Sequence, residues 1–279
     1  MELTFGMSEG MLRLAAFASV FVVVAMLERL LPRRIPTMSK AWRWTTNLAI
    51  AALGSLAVRL MAQLAQVLAV PLVATAAAIV AERSSIGFFN WTAWPEAIEI
   101  ALAVIVLDAA IYLQHVASHK VGLLWRLHRV HHADVDLDLT SGIRFHPVEI
   151  ALSMLYKVVL ALLLGPAAIA VVIFEIVLNG TAMFNHANLR LPLWLDRMLR
   201  LVVVTPDMHR IHHSVLRHEH DTNYGFSLSL WDRLLGTYTV EPRQGQLGMK
   251  IGLDEFPAPA PSRLWWSLKL PFVKRGSGE

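Results

Sequence analysis

Three long apolar runs, at residues 11–31, 47–80 and 148–178, constrain this chain more than any other feature. A helix rises about 1.5 Å per residue, so about 20 apolar residues cross the roughly 30 Å hydrocarbon core of a bilayer. Inside that core the backbone must satisfy its own hydrogen bonds, which makes the α-helix the spanning element for runs of this kind. Only 16% of the 279 residues are charged, against about 25% in a soluble domain. The expected architecture is all-α: an integral membrane helical bundle of about four membrane-embedded or spanning segments, with a histidine-rich helical cap on its cytosolic side.

The first run is followed by Arg33, Arg34, Lys40 and Arg43, and an excess of Lys and Arg marks a cytosolic loop. A cleaved secretory signal carries its positive charge before the apolar stretch, so the order here predicts a retained helix. The second run returns through the bilayer. Pro71 ends or kinks it, and Arg59 within it must be paired or face a cavity. Residues 82–96, with Trp91 and Trp94, read as the outer interface. Residues 97–116 span back and deliver His115 and His119 to the cytosolic end. Gly165–Pro166 breaks the third run into halves of about 15 residues, roughly 22 Å each as helix. A tilted or re-entrant hairpin is expected there, which returns the chain to the side it left. Residues 191–204 form a short interfacial helix. The Pro-rich tail, with Trp265, Trp266, Lys269, Lys274 and Arg275, lies on the membrane surface. The chain thus divides into N-terminal transmembrane helices and loops at 1–95, a histidine-rich domain at 96–240 and a cytosolic tail at 241–279. Its Ala-, Leu- and Arg-rich composition is compatible with a multi-pass protein of a bacterial inner membrane.

There is no cysteine, which excludes disulfides, thiolate-ligated haem and cysteine-held iron–sulfur clusters. The net charge of +4 sits beside the apolar runs, so it reads as topology and not as a nucleic-acid surface. The twelve histidines are the anomaly, because most fall into three clusters. These are His115-x-x-x-His119, His128-x-x-His131-His132 and His209-x-x-His212-His213. Residues three or four apart share a helix face, whereas neighbours diverge by about 100°. That divergence suits two metal ions, with each helix contributing to both. Eight imidazoles are too many for one ion that takes about four ligands, and imidazole suits iron, zinc, copper and nickel alike. Val116 after His115 and Ile211 before His212 break the HExxH spacing of a zinc protease. A haem held by two histidines would leave several others without a role.

Outside the clusters, His186 comes after the hairpin and is a candidate further ligand. His146 reads as a cap or support for the site, and His218 and His220 as solvated side chains of a charged loop. Asp108 lies two turns before His115 on the same face. As an intramembrane carboxylate it is a candidate for a functional role, orienting a histidine or pairing with Arg59. Tyr112, one turn before His115, reads as packing beside the pocket.

Taken in order, the motifs are Asp108-x-x-x-Tyr112-x-x-His115-x-x-x-His119, Leu124-Trp125-x-x-His128-x-x-His131-His132 and Arg144-x-His146-Pro147-x-Glu149. Further along are Thr205-Pro206-x-x-His209-x-x-His212-His213-Ser214, Asn223-Tyr224-Gly225 and Trp231-Asp232-x-x-x-Gly236-Thr237-Tyr238. This series resembles the fatty acid hydroxylase superfamily, which includes sterol desaturases, sterol methyl oxidases and alkylglycerol monooxygenase. The resemblance runs from 108 to 238 and marks 96–240 as the di-metal catalytic domain. It implies a non-haem site of two iron ions (zinc when isolated), with O2 as co-substrate. The ligands it implies are His115, His119, His128, His131, His132, His209, His212 and His213; His186 stands beside them as the further candidate from its position after the hairpin. A bilayer lipid of sterol, fatty-acyl or alkyl-glycerol type would be hydroxylated or desaturated. Electrons would come from a ferredoxin, cytochrome b5 or reductase-type donor. The spacing of the first box is like the sterol and alkylglycerol branches, and Val116 stands where many members have Arg. A second class of function also fits the histidines: a membrane zinc- or iron-binding protein without redox activity, for metal handling or as an inactive relative. Transporters hold ions near the bilayer midplane, whereas these clusters fall at a helix end and beyond it.

Overall fold

The computed structural model describes residues 8–273, so Lys274 and Arg275 of the expected surface tail lie outside the described residues. Seven longer helices come first: α1 (Glu9–Leu30), α2 (Lys40–Leu68), α3 (Ala74–Arg83), α4 (Glu96–Lys120), α5 (Gly122–His132), α6 (Pro147–Leu164) and α7 (Ala168–Asn185). Short helices come after them: α8 (Leu193–Leu199), α9 (Pro206–His212), α10 (Arg217–His220) and α11 (Leu230–Leu234). Among the described residues β-structure is limited to isolated bridges. The fold is all-α, and four helices, α1, α2, α6 and α7, are long and apolar enough to cross a membrane.

Local chemistry sets the breaks. α2 closes at Leu68 with Ala69 in the left-handed region (φ 53°), just before Pro71. α6 opens with Pro147 in its first turn and closes at Gly165 (φ 61°), after which Pro166 cannot continue the ladder. The third apolar run is therefore the helical hairpin α6–α7. Its turn is anchored. The Asn90 amide donates to the Ile86 and Gly165 carbonyls at 2.7 and 3.0 Å, and Glu99 accepts from Ala167 N–H at 2.8 Å. A Cβ on Gly87 would lie 2.4 Å from Gly165 N, so only glycine admits this approach. Ala74, Ala77 and Ala78 of α3 pack on Met154, Val158 and Ala161 of α6. Small residues bring the backbones close where lipid offers no hydrophobic drive to association.

The basic loop after α1 is not a set of free topology charges. Arg43 is 1% exposed. Its guanidinium bonds both oxygens of Asp134 at 2.7 and 2.8 Å and Asp138 at 2.7 Å. Asn47 donates to Asp134 and Thr140, and Arg144 donates to Asn47 and to the Val130 carbonyl. Glu28 accepts from the backbone of Leu139 and Asn188. Arg33 pairs with Asp207 at 2.8 Å. These contacts tie α1 and α2 to the loops beyond the histidine clusters. Burial pushes the Asp134 carboxyl up, but Arg43 overrides it and holds the carboxyl well below the usual carboxylate range. The tail is also packed and not merely laid on a surface: Leu270 lies against Val130 and Ala133, and Arg126 donates to Pro271 O at 2.7 Å.

Candidate metal centre

Four elements converge to place histidines together: the end of α4, the face of α5, the residue just beyond α7, and α9. The α6–α7 turn makes this possible: a Cβ on Gly142, just before α6, would lie 2.3 Å from Ala182 O near the end of α7, so the chain comes back to where it left. His115, His119, His128, His132 and His212 form one group, and His131, His186, His209 and His213 form a second. Within each group the possible ligand atoms all lie within 4.8 Å of one another. Helix geometry explains the partition. His128 and His132, four apart, share a face and a group, while His131 turns to the other; His209 and His213 pair likewise, while His212 turns away. The groups adjoin, since the rings of His132 and His213 stack at 4.4 Å.

All nine histidines of the two groups are buried. Burial pushes His128 down to about 3 and His186 to about 4. The same cause holds His131, His132, His209, His212 and His213 well below the ordinary histidine value. The rings are therefore neutral, with one N–H and one lone pair each.

Several N–H groups have an acceptor pointing away from the group. His115 Nδ1 donates to Tyr224 O at 2.6 Å, His212 Nδ1 to Thr222 O at 2.7 Å and His186 Nδ1 to Ala182 O at 2.7 Å. His128 Nδ1 meets Glu149 Oε1 at 2.6 Å. The lone pairs are then on Nε2, facing inward. In the first group, Nε2 of His115, His119, His128, His132 and His212 is buried with no hydrogen-bond partner. In the second, Nε2 of His186 lies 3.0 Å from that of His131 and 3.2 Å from those of His209 and His213. A tetrahedral ion with metal–nitrogen bonds of about 2.0–2.1 Å needs its nitrogens roughly 3.3 Å apart. In the first group, buried nitrogens without partners call for a cation among them, and in the second the nitrogens stand close to the spacing of a tetrahedral ion, so both groups fit a metal ion. The all-nitrogen donor set suits iron, zinc, copper or nickel.

The neighbours of the ligand nitrogens are not visible in the histidine spacing. Glu149 stands out in the sequence only as part of a motif, and the carbonyls of Tyr224 and Thr222 carry no sequence signal. Asp232, fully buried, accepts from the N–H groups of Tyr224 and Gly225 at 2.8 and 2.9 Å and so shapes that loop. Asp221 Oδ1 lies 3.6 Å from His119 Nδ1.

Three expectations change. His220 is not solvated: it is buried, with its ring 4.5 Å from His132 and 4.8 Å from His119. Asp108 does not orient a histidine or pair with Arg59. Its Oδ2 accepts from Trp231 Nε1 at 2.8 Å and from Leu228 N at 3.2 Å, holding the loop before α11 on α4. Arg59 lies exposed on α2. His146 Nδ1 accepts from Val148 N–H at the start of α6, a cap as its position suggests, and His218 is exposed.

The fold and site together define an all-helical bundle with four helices apolar enough to cross a membrane and two adjoining sets of buried imidazoles that could each hold a metal ion. Residues 100–237 match the fatty acid hydroxylase family model, and the chain belongs to the fatty acid hydroxylase superfamily. Among curated relatives, an ornithine lipid hydroxylase of Rhizobium tropici is 30% identical over 158 residues, 57% of this chain and 47% of the relative. The alkylglycerol monooxygenases of Homo sapiens and Danio rerio are 27% and 28% identical over 55% and 60% of this chain. The matches span about half of the first relative and 34% of the other two. No solved structure matches the chain.

Proposed function

We propose that this protein is a membrane-bound non-haem di-iron oxygenase that hydroxylates or desaturates a lipid of sterol, fatty-acyl or alkyl-glycerol type. O2 would be the oxidant and a separate donor the source of electrons. The observation that carries this reading is the pair of buried imidazole groups, whose ring nitrogens converge at metal-ligand spacing. Bound iron would supply redox chemistry with O2 that no side chain here provides.

This chain's own residues do the rest. His115, His119, His128, His132 and His212 would hold one ion, and His131, His186, His209 and His213 the other. Glu149 and the carbonyls of Tyr224, Thr222 and Ala182 keep the imidazoles turned inward, and such partners strengthen a ligand's basicity. On the side of the helix bundle the wall is apolar. Phe145 stacks on His131 at 4.4 Å, and Phe226 lies 4.9 Å from His115. Both belong to a core with Leu107, Ile111 and Phe174 from α4 and α7. That wall excludes water and offers a hydrocarbon chain an apolar approach. The basic loop after α1 lies on the same side as the histidines, which supports an active site facing the cytoplasm, in a bacterial inner membrane.

The test is metal content and O2 uptake of the purified protein, wild type beside His131→Ala, with chemical reductant and a lipid extract. Two irons per chain and reductant-dependent uptake, lost in the variant, are expected. Iron-loaded wild type that consumes no O2 would leave a metal-binding protein without redox activity.

A further inference from the structure

Trp125, His220 and Asp221 lie against the five-histidine group at His119 and His132, away from the histidines that Phe145 and Phe226 touch. Trp125 lies three and seven residues before His128 and His132 on α5, so helix periodicity puts it on their face. Its ring is 5.2 Å from His119, 5.5 Å from His132 and 4.8 Å from His220. It is half-buried, whereas those three histidines are buried. Among the described residues it is the one tryptophan in ring contact with the histidines. Ala187, Met208 and Ile211, the chain neighbours of His186, His209 and His212, are fully buried.

The rim around Trp125 is basic. Arg126 is its exposed neighbour on α5. Lys120 and Arg217, with side chains 52% and 66% exposed, both reach Asp221, at 2.9 and 3.4 Å. Asp221 in turn faces His119. Lys120 and Arg217 flank this partly exposed carboxylate, and Arg126, whose Nε donates to Pro271 O, adds a third cation on α5, so positive charge outweighs negative among these groups.

In an oxygenase, electrons must reach this buried centre from a carrier too large to enter it. We propose that Trp125 and the rim of Lys120, Arg126 and Arg217 are the inlet for those electrons, a role that rests on the oxygenase reading. The partner that fits the rim is a small acidic one-electron carrier protein. Each transfer takes one electron from the reduced carrier, which is oxidised, to the metal centre, which is reduced. Trp125 closes the gap between the docked carrier and the ligands of the centre and ends each transfer unchanged.

The experiment uses iron-loaded full-length protein in nanodiscs, mixed without O2 with a reduced plant-type ferredoxin, an acidic [2Fe–2S] carrier. Oxidation of the ferredoxin is followed by its own visible absorbance. Wild type, Trp125→Phe, Trp125→Leu and the double variant Arg126→Glu/Arg217→Glu are compared. Iron content and the amount of iron reducible by dithionite are measured for each. Trp125→Leu should lose most of the ferredoxin-driven rate and Trp125→Phe part of it, both with unchanged dithionite-reducible iron. The double variant should lose roughly tenfold or more of the low-salt rate and most of its salt dependence. A wild-type rate in Trp125→Leu, at full iron content, would overturn the inlet. Wild type that ignores ferredoxin at every ionic strength, yet is reduced by dithionite, would overturn the acidic carrier and leave the oxygenase reading standing. Iron that dithionite cannot reduce would overturn both.

Discussion

His131 and His132 are adjacent in the chain but belong to different groups, so replacing each with alanine should have different consequences. His131→Ala leaves three imidazoles in its group; His132→Ala leaves four in the other. Structural zinc sites with four ligands bind with about 10–16 kcal/mol, or about 2.5–4 kcal/mol per ligand. The second metal of His131→Ala should therefore bind roughly 10²–10³-fold more weakly, while the first is held as in wild type. The loss in His132→Ala should stay below that range, because four nitrogens complete a closed coordination shell. The assay is metal per chain by mass spectrometry after equilibration against a graded series of chelator concentrations. Wild type and His132→Ala should retain two metals at chelator strengths where His131→Ala retains one. His131 also stacks on Phe145 with the rings 12° from parallel, so unfolding of the metal-free proteins must be recorded alongside to separate packing from ligation. Parallel loss of both metals in the two variants, with equal metal-free stability, would refute the partition into separate centres.

The buried polar contacts lead to further expected outcomes. Arg43→Met leaves Asp134 and Asp138 buried without their cation and should cost about 3–5 kcal/mol, read as a fall in unfolding temperature in detergent. In wild type the depressed Asp134 carboxyl contributes stability that is complete above its unfolded value near 3.9 and declines as pH falls below it; an unfolding temperature indifferent to acid below pH 4 would contradict this. Glu149→Gln replaces the carboxyl that meets His128 Nδ1 at 2.6 Å and should weaken metal retention roughly 10–100-fold with little change in helix content, measured by chelator competition and circular dichroism.

Much of the architecture is legible in the sequence because it depends on local periodicity and composition. Apolar length predicts the spanning helices, Gly165–Pro166 predicts the hairpin turn, and histidines at three- and four-residue spacings predict imidazoles on shared faces. The same spacing predicts that neighbouring histidines part company, as His131 and His132 do. Side chains whose roles depend on distant partners read differently. Arg43 looks like a loop charge because Asp134, its partner, stands 91 residues away. Asp108 looks functional because a carboxylate in an apolar run has no local reason to be there; Trp231, 123 residues on, supplies it. His220 looks solvated in its charged sequence, yet the fold turns it onto the centre. The sequence by itself determined the helices, the histidine faces and the superfamily. Tertiary structure alone decided which histidines share a group, which carbonyls and carboxylates turn them, and which surface lies nearest to them. The physical reason is that helix periodicity repeats every few residues and is written locally. A buried polar group, by contrast, takes whichever partner packing brings within hydrogen-bond reach, and nothing nearby in the chain records it.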